Sequence, residues 1–89
     1  MKLKITEGEW KLAKLGWLRV EADDFTALFL RFEFGSQWGI NGGRISKLEI
    51  RRKSTKEVMA NYDRGWDIEP AVECSALKEF YDEVLKQYN

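Results

Sequence analysis

With 89 residues, fifteen Lys plus Arg against fifteen Asp plus Glu, one cysteine and no histidine, the chain is the size of one small domain and carries no net charge. That inventory excludes an internal disulfide, a Cys/His zinc site, a histidine general base and any Ser-His or Cys-His couple, so an enzyme would have to work with carboxylates, Lys, Tyr or Arg. Zero net charge leaves no global field to draw in polyanions or anionic lipid, and 44% hydrophobic against 34% charged residues is the balance of a folded chain.

The opening "MKLKITEGEW" has no apolar run of signal-peptide length, and no stretch approaches the roughly 20 apolar residues of a membrane span. A cytoplasmic protein with no membrane contact is expected. In "TEGEWKLAKLG", Thr6 and Glu9 have capping-box spacing, while Trp10, Leu12 and the stop at Gly16 fit a strand and turn; two glycines tip the reading to a strand over 10–15. "WLRVEA", 17–22, puts Leu18, Val20 and Ala22 on one face, and Asp23-Asp24 makes a polar turn into the next strand.

"FTALFLRFEF", 25–34, reads as the central strand. Thr26, Leu28, Leu30, Phe32 and Phe34 fall on one, largely apolar face, and Phe25, Ala27 and Phe29 occupy the reverse before Arg31 and Glu33 return it to solvent. Between this strand and "RISKLEIRR", 44–52, lies a glycine-rich loop. Asn41-Gly42 is the favoured pair for a tight hairpin turn, with Gly43 supplying a bulge beside it. The competing reading is an anion cradle made by Arg44 and the turn's N–H groups. It lacks the helix N-terminus that phosphate loops place behind their glycines. "KEVMANY", with a strand over 56–63, alternates at Val58, Ala60 and Tyr62 and completes a second hairpin.

"NYDRGWDIEP" offers Asp63, Asp67 and Glu69 for a magnesium ion or for acid–base work. The structural alternative is a strand ending in a turn at Gly65, with Arg64 paired to Asp67 and Trp66 closing the core against the helix. "EPAVECSALKEFYDEVLKQYN" is a helix over 70–88 that starts on Pro70. Leu77, Phe80, Tyr81, Val84, Leu85 and Tyr88 recur along one face, and Cys74, at the helix start, is either a reactive thiol or a small, partly buried helix residue. The expected fold is α+β: a single domain over 1–89, with an antiparallel sheet of four to five strands and one C-terminal amphipathic helix on one face.

Two features point to binding. Four tryptophans exceed what a core of this size absorbs, and Trp38, in a Gly- and Ser-rich loop, is either exposed or folded back to cap the sheet. The basic set Arg44, Lys47, Arg51, Arg52, Lys53 and Lys56 is either solvated edge protection or, with Trp38 stacking on bases, a nucleic-acid grip. The binding candidates are therefore Trp38, Arg44, Arg51, Arg52, Arg64 and Trp66. No catalytic residue, metal or cofactor is expected. The leading expectation is a non-enzymatic accessory protein acting through a protein partner or self-association, with nucleic acid as the alternative.

The motifs "GINGGRISKLEI" and "NYDRGWDIEP", with the closing helix, resemble a small uncharacterised family of Gram-positive bacteria, their phages and conjugative elements. The resemblance covers Gln37 to Asn89. It implies a mobile-element or prophage origin and assigns no activity or site residue.

Overall fold

The structure, a computed structural model, describes residues 2–5, 16–71 and 73–89. Among the described residues six strands form one antiparallel sheet in sequence order: β1 (Lys4–Ile5), β2 (Trp17–Ala22), β3 (Phe25–Arg31), β4 (Ile45–Arg52), β5 (Val58–Asp63) and β6 (Trp66–Ile68). A single helix among the described residues, α1 (Ser75–Tyr88), follows. The chain is thus α+β, with more strands than the four to five expected. The two additions, β1 and β6, are edge strands of two and three residues, too short to show a period of two in the sequence. The strand expected over 10–15, with Trp10, lies outside the described residues.

Strand pairing sorts the sheet into two faces. Leu18, Phe29, Leu48, Tyr62 and Trp66 lie in one cross-strand row, and Val20, Ala27, Ile50 and Ala60 in the next. Both rows lie on the side α1 covers, and most of their members are buried. From α1, Leu77, Phe80 and Val84 are fully buried at the three- and four-residue spacing of one helix face. Phe80 meets Phe25 with ring centroids 5.6 Å apart, and Tyr88 meets Phe29 at 5.1 Å. The opposite face, left open by the described elements, carries Trp17, Leu30, Lys47 and Asp63 in one row and Arg19, Leu28, Glu49 and Asn61 in another.

Thus the half-apolar set Phe25, Ala27 and Phe29 forms the core, whereas Thr26, Leu28 and Leu30 lie half-buried on the open face. Cross-strand neighbours decide this. The first set sits beside Val20, Leu48 and Ile50, the second beside Arg19, Glu49 and Arg51. Phe32 and Phe34 leave the strand altogether. The register shifts after Leu30, where Arg31 pairs with Ile45 and Ser46 is passed over, and the ladder ends there. A second shift between Ile50 and Arg51 puts Val58 opposite Arg51, on the open face rather than with Ala60 and Tyr62.

α1 begins at Ser75, five residues after Pro70. Cys74, half-buried, is its N-cap residue, without a side-chain cap bond. Between the edge strand β6 and the helix on the covered face, Cys74 N donates to Ala71 O in a turn. A residue before proline also avoids the helical region, which keeps Glu69 out of a helix. On the helix side, Trp66 packs edge-on between Tyr62, 4.9 Å away, and Tyr81, 5.8 Å away.

Burial, with Asp82 and Tyr62 adding to it, pushes the Tyr81 phenol up to about 12 from 10.0. The unfolded chain therefore ionises this tyrosine first. Its contribution to stability is complete below pH 10 and is lost as pH rises through 12. In thermal melts across that range, Tyr81→Phe should lose less stability than the parent; parallel pH profiles would contradict this.

Candidate functional site

The most distinctive surface is the loop between β3 and β4, residues 32–44. Phe32 is 52% exposed, Phe34 76% and Trp38 52%, so three large aromatics face solvent within one short segment. Tryptophan and phenylalanine left in water are unusual enough, when grouped, to mark an interaction surface. The choice left open for Trp38 resolves toward exposure.

The loop that carries these side chains is tightly tied. Phe32 N donates to Arg44 O at 3.0 Å, and Arg44 Nε returns a bond to Phe32 O at 2.8 Å, closing its base. Further out, Ser36 N donates to Gly43 O at 3.2 Å, and Trp38 N to Ser36 Oγ at 3.2 Å. The tip is a 3-10 turn over Ile40–Gly42, with Gly43 N donating to Ile40 O at 2.8 Å. Asn41 and Gly42 have φ of 54° and 73°, the positive values anticipated for this dipeptide. The turn does not join β3 to β4 directly, however; it caps a longer loop. Gly43 has φ −88° and forms no bulge; the sheet's irregularity lies at Ser46.

Three groups from outside fasten the loop to the core. The Tyr62 hydroxyl donates to Trp38 O at 2.9 Å. The Asn89 amide donates to Ile40 O at 3.0 Å and accepts from Ile45 N at 2.9 Å. Ile40 is itself buried, a plug between the loop and the sheet. Gly39 and Gly43 allow this closeness: a Cβ on Gly39 would overlap the Gly43 carbonyl, and one on Gly43 would overlap the Asn89 side chain. The aromatics therefore stand on a platform fastened at several points to the core.

The remaining candidates do not converge on this loop. Arg51 Nε binds Glu49 Oε1 at 2.6 Å, and Arg52 lies 3.5 Å from Asp24 and over the Phe25 ring at 5.3 Å. Lys53 is 3.4 Å from Glu21, and Lys47 is 3.9 Å from Asp63. The basic set is thus divided: Arg44 lies in the loop and Lys47 beside Asp63, while Arg51, Arg52, Lys53 and Lys56 line one cavity at the β4–β5 turn. It does not guard an edge, because β4 is flanked by β3 and β5.

Trp66 is committed to the helix-side aromatic stack. Arg64 forms the β5–β6 turn, where its N–H donates to Ser46 O at 3.0 Å. Arg64, not Gly65, takes the positive φ there, at 60°. No Arg64–Asp67 ion pair is present among the described residues. Nor do any three Asp, Glu or Cys residues come together there as a group able to hold a metal.

Sequence reasoning missed Phe32, Phe34, Tyr62 and Asn89 as members of the loop system. It also missed a division of charge. Up to Lys56 the chain has twelve cationic and seven acidic residues; after it, three and eight. A running count of charge would have revealed the basic end that zero net charge conceals.

A family model described as a domain of unknown function (DUF7678) matches residues 6–89, reaching well into the N-terminal third. No curated protein and no solved structure matches the chain. Among the described residues no helix is long and apolar enough to cross a membrane.

Proposed function

We propose that this chain, which belongs to the DUF7678 family, is a non-enzymatic protein-interaction module, an accessory protein of a mobile element or prophage that modulates a host factor. The observation that carries the reading is the group of three exposed aromatics, Phe32, Phe34 and Trp38, on a loop fastened by Tyr62, Arg44 and Asn89. Rigid aromatic side chains lose little conformational entropy on binding, and a preformed loop lowers the ordering cost that usually offsets contact energy. Such residues are the anchors that dominate protein interfaces.

The test compares the parent with a Phe34→Ser, Trp38→Ser double variant. Light scattering across a concentration series reports self-association, and quantitative pull-down from a host lysate reports a foreign partner. Loss of one specific association in the variant, with an unchanged melting temperature, is the expected result. Identical assembly state and identical retained proteins in both would overturn the reading.

Nucleic-acid binding by the Arg44 to Lys56 set is the second reading, favoured by a cavity where Arg51, Arg52, Lys53 and Lys56 meet. Against it, four of the set's six cations face carboxylates, and Arg44 and Lys47 lie outside the cavity, so the set makes no continuous track for a backbone. Binding that falls steeply with salt would be its signature.

A further inference from the structure

We propose that the cavity between the edge strand β6 and α1 binds a trimethylammonium group, as carried by choline or by a trimethylated lysine side chain. This site shares no residue with the aromatic loop and stands independently of the protein-interaction reading. The cavity, of about 250 Å³, is lined by Trp66 from β6, Glu69 and Pro70 from the segment that follows, and Lys78, Tyr81 and Asp82 from α1. Tyr81 and Asp82 stand three and four positions after Lys78, the spacing that brings side chains onto one helix face. The volume falls below the roughly 300–1,000 Å³ of sites for drug-sized ligands, so it suits a head group rather than a large body.

The walls are those of a partial aromatic cage. The Trp66 and Tyr81 rings have centroids 5.8 Å apart and planes inclined at 64°, so they adjoin as two walls of a corner, where a stacked pair would close on itself. Both residues are half-buried: each is anchored in the helix-side stack and still presents surface to the cavity. Pro70, whose ring fixes its backbone, supplies a third apolar wall. A cation over the face of tryptophan or tyrosine is drawn in by the ring quadrupole, tryptophan most strongly.

The polar groups select the kind of cation. Lys78 Nζ lies 2.6 Å from Asp82 Oδ2, so these two charges offset each other within the wall. Glu69 has no ion pair among the described residues and is the carboxylate left to face a ligand. A primary ammonium brings three N–H donors that each need an acceptor. With Asp82 engaged by Lys78, the cavity has few to offer. A trimethylated ammonium brings no donor, sets its methyls against the rings, and needs only the single opposing charge of Glu69.

NMR titration of the full chain at constant ionic strength tests this with four probes: choline, acetylated trimethyllysine amide, ethanolamine, and the uncharged carbon isostere of choline. Saturable shifts are expected at the Trp66 indole N–H and at the amides of residues 66–69 and 78–82 with a methylated cation. Binding of either one supports the site, and the tighter of the two identifies the source of the head group. Ethanolamine and the isostere should bind at least about tenfold more weakly, the size of a desolvated cation–π contact. Trp66→Leu should raise the Kd about tenfold and the exposed Glu69→Gln about threefold, while Lys56→Gln in the β4–β5 turn leaves it unchanged. Spectra of the variants without ligand establish that they fold. No saturable shift with either methylated cation, or parent affinity in folded Trp66→Leu and Glu69→Gln, overturns the site. Equal affinity for the isostere overturns recognition of the charge, and equal affinity for ethanolamine overturns recognition of the methyls.

Discussion

Replacing Phe80 by alanine is expected to remove most of the protein's stability, with a loss of about 3–5 kcal/mol in denaturant unfolding. Phe80 is fully buried, and its ring lies against Phe25 across the interface between α1 and the sheet. Its neighbours on the helix, Leu77 and Val84, are equally buried but smaller, so Phe80 fills the largest share of the volume between the two layers. A domain of this size has about 5–15 kcal/mol in total, so the variant should be partly unfolded near room temperature. Leu85, where the helix stripe would also invite a disruptive change, is half-buried and makes a weaker test. A Phe80→Ala midpoint close to that of the parent would mean that α1 is not docked through this ring.

The stripe that singles out Phe80 was legible from the sequence because a helix declares its buried face by its own period. Leu77, Phe80 and Val84 needed no knowledge of what they would meet. The sheet is different. Which face of "FTALFLR" points inward depends on β2 and β4, and the alternation within β3, with apolar residues on both faces, does not decide it. A rule that weighed all the paired strands together would have put Phe25, Ala27 and Phe29 inside, since their neighbours are Val20, Leu48 and Ile50 while those of Thr26 and Leu28 are Glu21, Arg51, Arg19 and Glu49. The two register shifts were beyond reach for the same reason: each depends on which partner residue is passed over, a property of pairs of strands.

At the candidate site, composition located the region but not the mechanism. Trp38 and Arg44 could be picked out as flanking a glycine turn, and both belong to the loop. What holds the loop comes from far along the chain: Tyr62 and Asn89 lie 24 and 49 residues from the carbonyls they bind. Nothing local in "QYN" marks Asn89 as a clamp. Nor could the sequence show that Gly65 is conformationally ordinary while Arg64 bears the positive φ, because the two are adjacent and glycine is the expected carrier.

The glycines of the loop supply the second large effect. Gly39→Ala should open the platform, costing about 1–3 kcal/mol as overpacking does, and should abolish the association proposed for Trp38 while leaving Trp38 itself in place. Gly39 has φ −78° and ψ 154°, an ordinary extended conformation, so the penalty is steric. The new methyl meets the Gly43 carbonyl, a backbone atom that cannot rotate aside. Relief requires separating Gly39 from Gly43, which breaks the bond from Gly42 N to Gly39 O at 3.0 Å and the bond from Gly43 N to Ile40 O, and draws Ile40 out of its buried seat. Hydrogen exchange should accelerate at residues 40–45, with β2, β3 and the buried turns of α1 still protected, since their contacts are not involved. Gly65→Ala is the matched control: open space surrounds that position, its φ is not positive, and both stability and binding should be unchanged. If Gly39→Ala binds as the parent does while exchange at 40–45 rises, the aromatics act without preorganisation; if exchange does not change, the contact between Gly39 and Gly43 is not what closes the loop.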